Sequence, residues 1–305
     1  MFGKYKYHFL LHFVILIWGF TGILGVLIHL ESVIIVWHRV LIAFITLLVA
    51  LLVMKKSIRI PSKKRLIQVL IIGVVVALHW LTFYKSIQLS TASLGILCLS
   101  TTTIHVSWLE PLIMRRPFSW LEMVLGVVVI YGIYVVSSNF STQDYEALAY
   151  GLASAFFAAV FAVYNAKLAK DTKPSIITLY EMVSAFVFIS ILLIFQGRLT
   201  VDVFIMTWSD FLWLIFLGAV CTSFAFLATI NVIKKLGTFT VSLSINLEPV
   251  YTIILAVIIL NEDELLNSDF YYGAAIIILV VIANAVFKSI TKKKVLKKKQ
   301  GQLSQ

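Results

Sequence analysis

Apolar residues in this chain gather in runs of about 18–24, the length that crosses ~30 Å of hydrocarbon at ~1.5 Å per residue. Ten runs are read, at 8–28, 33–54, 66–84, 91–113, 120–137, 148–168, 175–195, 210–233, 238–260 and 270–289. Short polar connections join them, so the pattern predicts an all-α integral membrane protein with ten transmembrane helices and no soluble domain. One region stands out within these runs. From Ala77 to Pro111 they carry His79, Trp80, Tyr84, the hydroxyl cluster Ser100 to Thr103, His105 and Trp108. Hydrogen-bonding groups are costly at membrane depth, so each needs a partner, a water-filled cavity or a function.

Composition agrees with the periodicity: 61% of residues are hydrophobic, 13% are charged and the mean hydropathy is +1.02. The net charge of +11 is not spread evenly. Basic residues sit at Lys4 and Lys6, from Lys55 to Arg65, at Arg115 and Arg116, from Lys167 to Lys173, at Lys234 and Lys235, and in the tail from Lys288 to Lys299. These are alternate connections; the others hold Lys85 and Arg198 against Glu31, Asp144, Glu146, Asp202 and the run Glu262, Asp263, Glu264. Such asymmetry predicts a multi-pass protein of the cytoplasmic membrane with both termini cytoplasmic. The tail is read as an anchor to anionic lipid rather than a nucleic-acid site. The first run follows two lysines but has no small-x-small cleavage site, so it is expected to be an uncleaved helix. Cys98 and Cys221 both fall inside runs and are not expected to pair as a loop disulfide.

The chain repeats itself. A shift of 147 residues aligns the segment from Leu89 with that from Leu236 without a gap, matching Thr91 to Thr238 and Gly126 to Gly273. Matching the two "LEP" triplets instead would put the polar loop "NEDELLNSD" inside a helix. Upstream, a shift of about 142 pairs "WHRVLIAF" with "LYEMVSAF" and sets Arg39 opposite Glu181. The expected units are 1–142 and 143–289, followed by a tail at 290–305. With five spans each, the halves enter the membrane from opposite sides, an arrangement characteristic of secondary transporters.

"LIWGFTG" in the first helix, "HRVLIAF" in the second, "TFYKSIQLSTASLGILCLSTT" across the third and fourth, and "LSINLEPVYTIILAVIILNE" in the ninth resemble the drug/metabolite transporter superfamily, specifically its EamA-type ten-helix exporters. The resemblance covers essentially the whole chain. It implies a central cavity walled by helices 1, 3, 4, 6, 8 and 9, with helices 5 and 10 at the back, and it implies export.

Helical phase sorts the polar residues. In the ninth run Thr240, Ser244, Glu248, Tyr251 and Thr252 form one stripe. The fourth run offers two stripes: Thr101, His105 and Trp108, or Ser100, Thr103, Ser107 and Glu110. The 147-residue shift maps Thr101 to Glu248, so the first stripe is expected to face the pathway. Glu110, near Arg115 and Arg116, reads as a helix-end charge. Glu248 lies mid-span, where an acid costs ~2.5–3.5 kcal/mol unless offset; it is a candidate proton carrier or ammonium ligand. Pro249 predicts a kink beside it. His79, Trp80, Trp18, Tyr164, Asn165 and Tyr251 complete the expected substrate-binding set, Tyr84 and Lys85 are read as an interfacial belt and anchor, and Arg39 and Glu181 are expected to gate opposite faces.

The reading is therefore a carrier that exports small metabolites, amino acids or related amphipathic compounds, by alternating access. The alternatives are an intramembrane enzyme or a channel. No HExxH, GxSxG or paired mid-helix aspartates support an enzyme, and the histidines lack ligand spacing. No cofactor or metal is expected. The partners are a small-molecule substrate, the lipid bilayer and, as candidate coupling ions, protons; the oligomeric state is left open.

Overall fold

A computed structural model describes residues 2–60, 62–115 and 117–303, and among them there are helices and no strands. The first half contains α1 (Phe2–Leu27), α2 (Ser32–Val53), α3 (Lys63–Leu89), α4 (Ala92–Ser100), α5 (Thr102–Met114) and α6 (Trp120–Val136). The second contains α7 (Thr142–Leu168), α8 (Pro174–Phe195) and α9 (Trp208–Ile215), which leads into a π-helical segment (Phe216–Phe224). It continues with α10 (Ala225–Ile245), α11 (Glu248–Leu260) and α12 (Ser268–Leu303). Seven helices are long and apolar enough to cross a membrane, counting α4 with α5 and Trp208–Ile233 as one each. Three shorter apolar helices, Val124–Val136, Glu248–Leu260 and Ser268–Asn284, overlap the expected fifth, ninth and tenth runs. The side chains of Thr240 and of the basic tail from 291 onward lie outside the described ones.

Polar residues at the connections start these helices as capping chemistry requires. Ser62, Thr91 and Thr207 each accept a backbone N–H from the first turn, and Ser141 forms a capping box with Asp144. Pro174 opens α8, where a missing N–H costs nothing. Glu262, buried in the acidic connection after α11, accepts the N–H groups of Ala92 and Ser93 at 2.7 and 3.0 Å. A carboxylate from the second half thus caps a helix of the first.

Two expected spans are not continuous. The fourth is interrupted at Thr101, and the cause is local. The hydroxyls of Ser100, Thr101 and Thr102 donate to the carbonyls of Leu97, Cys98 and Leu99 at 2.5–2.6 Å. The backbone tightens in the same place, with Thr101 N donating to Cys98 O and Ile104 N to Thr101 O. Side chains that bond the preceding turn compete with the helical ladder, which answers why this segment carries so many hydroxyls.

The ninth run departs further. Helix α10 continues through the expected connection at 234–237 to Ile245, and the interruption falls at Asn246 and Leu247. Pro249, which has no N–H to offer the ladder, follows at once. The outcome is symmetric between halves: α5 and α11 each have 13 residues, each follows an interruption, and each ends in a left-handed residue, Arg115 or Asn261.

The core lies where α1, α2, α3, α8 and the π segment meet. With hydrocarbon outside as apolar as the side chains within, close backbone approach and internal hydrogen bonds hold such helices together. A Cβ on Gly73 of α3 would come within 2.6 Å of Ser184 Cβ and 2.7 Å of Glu181 O, so α3 and α8 pack backbone to backbone. Ser184 Oγ donates to Leu70 O across the same contact at 2.5 Å. Gly218 of the π segment meets α2 in the same fashion, 2.6 Å from Ile42 Cβ and 3.1 Å from Arg39 O. Away from this core, α6 and α12 pack through Gly132 and Gly273.

Candidate functional site

Between these packed pairs lies a cavity of about 520 Å³. Its wall is built from α1, α2, α3, α4 with α5, α7, α8, the π segment, both ends of α10, the start of α11 and, through Val281, α12, a helix expected at the back. Much of the lining is apolar and aromatic, including Trp18, Trp80 and Phe161. Set into it are a guanidinium and two carboxylic side chains, those of Arg39, Glu181 and Glu248.

Arg39 projects from α2 and is 5% exposed. Its guanidinium lies 3.9 Å from the centroid of the Trp80 ring, donates from Nε to Thr222 Oγ1 at 3.1 Å, and donates from Nη1 to the Tyr84 hydroxyl at 3.2 Å. Thr222 in turn donates to Leu217 O, five residues back, so the hydroxyl that holds Arg39 also spans a π turn. Glu181 is 3% exposed and is treated differently. Its polar neighbour is Asn165 of α7, and both Glu181 Oε1 and Asn165 Oδ1 are buried with no hydrogen-bond partner. Glu248 opens α11 and is half-buried, with its charge facing that of Arg39. Its place in the first turn of a helix favours a negative charge. No ion pair among the described residues joins any of the three.

His79 lines the same cavity and is held by Ser154. Its Nδ1 lies 3.1 Å from Ser154 O and 2.8 Å from Ser154 Oγ. Ser154 Oγ donates back to His79 O at 3.0 Å, locking α3 to α7.

Of the residues picked out in the sequence, Trp18, Arg39, His79, Trp80, Asn165, Glu181 and Glu248 meet in this cavity. Five do not line it. Thr101 is 1% exposed and spends its hydroxyl on Cys98 O. His105 and Trp108 pack with Phe156 of α7 in an aromatic cluster on another face, with Trp108 38% exposed. Tyr164 packs beside Val69 and Ile72, and Tyr251 bonds His12 Nδ1 at 2.9 Å. The polar fourth-span residues on the wall are Ser100, Thr102 and Thr103, nearer the second stripe. Mapping by repeat fixes a residue's level along the helix more firmly than its direction around it. Tyr84, read as part of an interfacial belt, is fully buried because Arg39 takes its hydroxyl. Polar wall residues that were not singled out include Thr21, Thr178, Thr222 and Asn246. A visible signal existed for Asn246, an amide in an apolar run two residues before Glu248.

Comparison with known proteins adds three findings. A model of the EamA-like transporter family matches residues 6–138 and again 146–286, one match per half. No curated protein matches the chain. A solved structure titled "Crystal structure of protein" superposes with a TM-score of 0.63 over 91% of this chain and 96% of its own, at 14% identity, a likeness of fold.

Proposed function

This chain belongs to the EamA-like transporter family, and from that premise we propose that it exports small amphipathic metabolites, amino acids and related compounds, across the cytoplasmic membrane by alternating access through the central cavity. The observation that carries this reading is a cavity in which a guanidinium and two carboxylic side chains face one space without an ion pair, among aromatic rings. A zwitterion with an apolar side chain offers each of these groups a counterpart. Contact between its ammonium and a ring adds ~0.5–2 kcal/mol.

Two interrupted helices, one per half, bring backbone ends to the cavity wall, a feature of transporter sites near the bilayer midplane. Arg39 and Glu181 occupy matching contacts in the two halves and belong to the same proposal as gate residues, each exchanging partners as its side opens. Glu248 is the candidate for coupling to protons. Both termini are cytoplasmic in this reading.

Counterflow in proteoliposomes loaded with unlabelled L-leucine or L-phenylalanine tests it. A carrier gives transient accumulation of external label above equilibrium. Monotonic equilibration would identify a channel, chemical conversion of the label an enzyme, and no uptake of either amino acid would overturn the substrate class.

A further inference from the structure

The two carboxylic side chains in the cavity differ in what balances them. Glu248 faces the charge of Arg39 and stands at a helix N-terminus. Glu181 has neither advantage: it lies in the second turn of α8, and among the described residues an amide is its polar neighbour. Its Oε1 and the Oδ1 of Asn165 are two buried acceptors with no donor. Leaving such atoms unmet is costly, more so for a carboxylate, so their persistence in a cavity wall points to a donor that arrives from the cavity.

The site cannot drift to relieve the deficit. Gly73 is pressed against the Glu181 carbonyl and Ser184 ties α8 to α3, fixing the backbone that carries the carboxylate. Arg39 shows the opposite state. Nε and Nη1 are bonded and the plane is stacked on Trp80, while Nη2 bonds none of the described residues. One pole of the cavity therefore presents a held donor and the other a held pair of acceptors.

We propose that Glu181 and Asn165 together receive the ammonium group of the transported solute, that Arg39 receives its carboxylate through Nη2, and that Glu248 does not contact the ammonium. An ammonium has three N–H donors and can meet Glu181 Oε1 and Asn165 Oδ1 at once; the rival donor is a proton on Glu181 Oε1 given to Asn165 Oδ1, which would leave wild type with no preference for leucine over 4-methylpentanoate. This assignment rests on the transport reading above and gives the solute a direction in the site.

The test uses purified full-length protein and equilibrium binding of L-leucine, 4-methylpentanoate, which lacks the ammonium, and leucinamide, which lacks the carboxylate. Wild type should bind leucine at least tenfold more tightly than either analogue. Glu181→Gln should bring the leucine to 4-methylpentanoate ratio close to one and leave the leucine to leucinamide ratio unchanged. Should that variant not fold, Asn165→Leu, which removes the second acceptor, should lower the first ratio several-fold. Collapse of the first ratio in Glu248→Gln, or its survival in the variants of Glu181 and Asn165, would overturn the assignment while leaving the transport reading intact. Failure of wild type to bind leucine, with no counterflow, would remove the amino-acid substrate class on which the assignment rests.

Discussion

Arg39 and Glu181 stand at matching positions in the two halves, and the surroundings of their backbones match as well. Each has its carbonyl close to a glycine of a neighbouring segment, Gly218 for Arg39 and Gly73 for Glu181. Each has a residue one turn on, Ile42 or Ser184, whose Cβ fills the place next to that glycine. The side chains then part company. Arg39 has two hydroxyl acceptors and an aromatic face, and the segment holding it is π-helical. Glu181 has an unmet oxygen, and Gly73 sits in a regular α-helix. Pseudo-symmetry in this protein is a property of backbones and small residues, and function enters where the side chains abandon it.

The most damaging way to probe the shared part is to fill the glycines. Gly73→Leu and Gly218→Leu each force a side chain where Cβ alone would be 2.6 Å from a neighbour. Since overpacking by a few methylenes already costs ~1–3 kcal/mol, both variants should lose the monodisperse peak on size exclusion in detergent. Gly126→Leu, whose Cβ would meet nothing nearer than 3.3 Å, should keep it. A well-behaved Gly73→Leu protein would show that the α3–α8 contact is looser than described.

A smaller effect separates the two sides. Thr222→Val removes the acceptor of Arg39 Nε and the hydroxyl that spans the π turn, leaving a buried charged donor unmet. The expected cost is ~1–3 kcal/mol, read as a lower midpoint of thermal unfolding. Counted from the paired glycines Gly218 and Gly73, the position corresponding to Thr222 is Ala77, so Ala77→Ser should change the midpoint little. Equal losses would contradict the idea that, of the two side chains, only that of Arg39 is held by hydroxyls.

The smallest effect concerns the connection after α11. Glu262→Gln keeps one acceptor for the N–H groups of Ala92 and Ser93 but loses the charge at the helix N-terminus, worth ~0.3–1 kcal/mol and up to ~2 when partly buried. The residue 147 places earlier is Arg115, which cannot accept a hydrogen bond, so this cap has no counterpart in the first half. A midpoint unchanged by the substitution would mean that Thr91 alone suffices to start α4.

Much of the fold was legible in the sequence because it depends on features with long range along the chain. Apolar runs gave the helices, and the 142- and 147-residue shifts gave two repeats and the pairing of Arg39 with Glu181. What escaped was decided by single hydrogen bonds. Three hydroxyls bonding backward interrupt the fourth span, and a periodicity of 3.6 contains no sign of that choice. Asn246 and Pro249 split the ninth span while Gly237 fails to end α10, the reverse of their ordinary rank as loop signals. Tyr84 reads as interfacial by its sequence neighbours, but its depth is set by a guanidinium 45 residues away. The cavity positions of Trp18, His79 and Asn165 needed only a helix face. The directions of His105, Trp108, Tyr164 and Tyr251 needed to know which neighbour packs there.

The two 13-residue helices α5 and α11 share a mechanical consequence. Each is about 20 Å long and is joined to the helix before it by one or two residues whose ladder bonds have been given up. A rod of that length pivoted at one end converts a rotation of about 10° at the cavity wall into a sweep of roughly 3 Å at its far tip. Arg115 and Asn261, the left-handed residues at those tips, are where such a rotation would move the chain farthest. The two pivots would differ in chemistry, with backward-bonding hydroxyls before α5 and Asn246, Leu247 and Pro249 at α11.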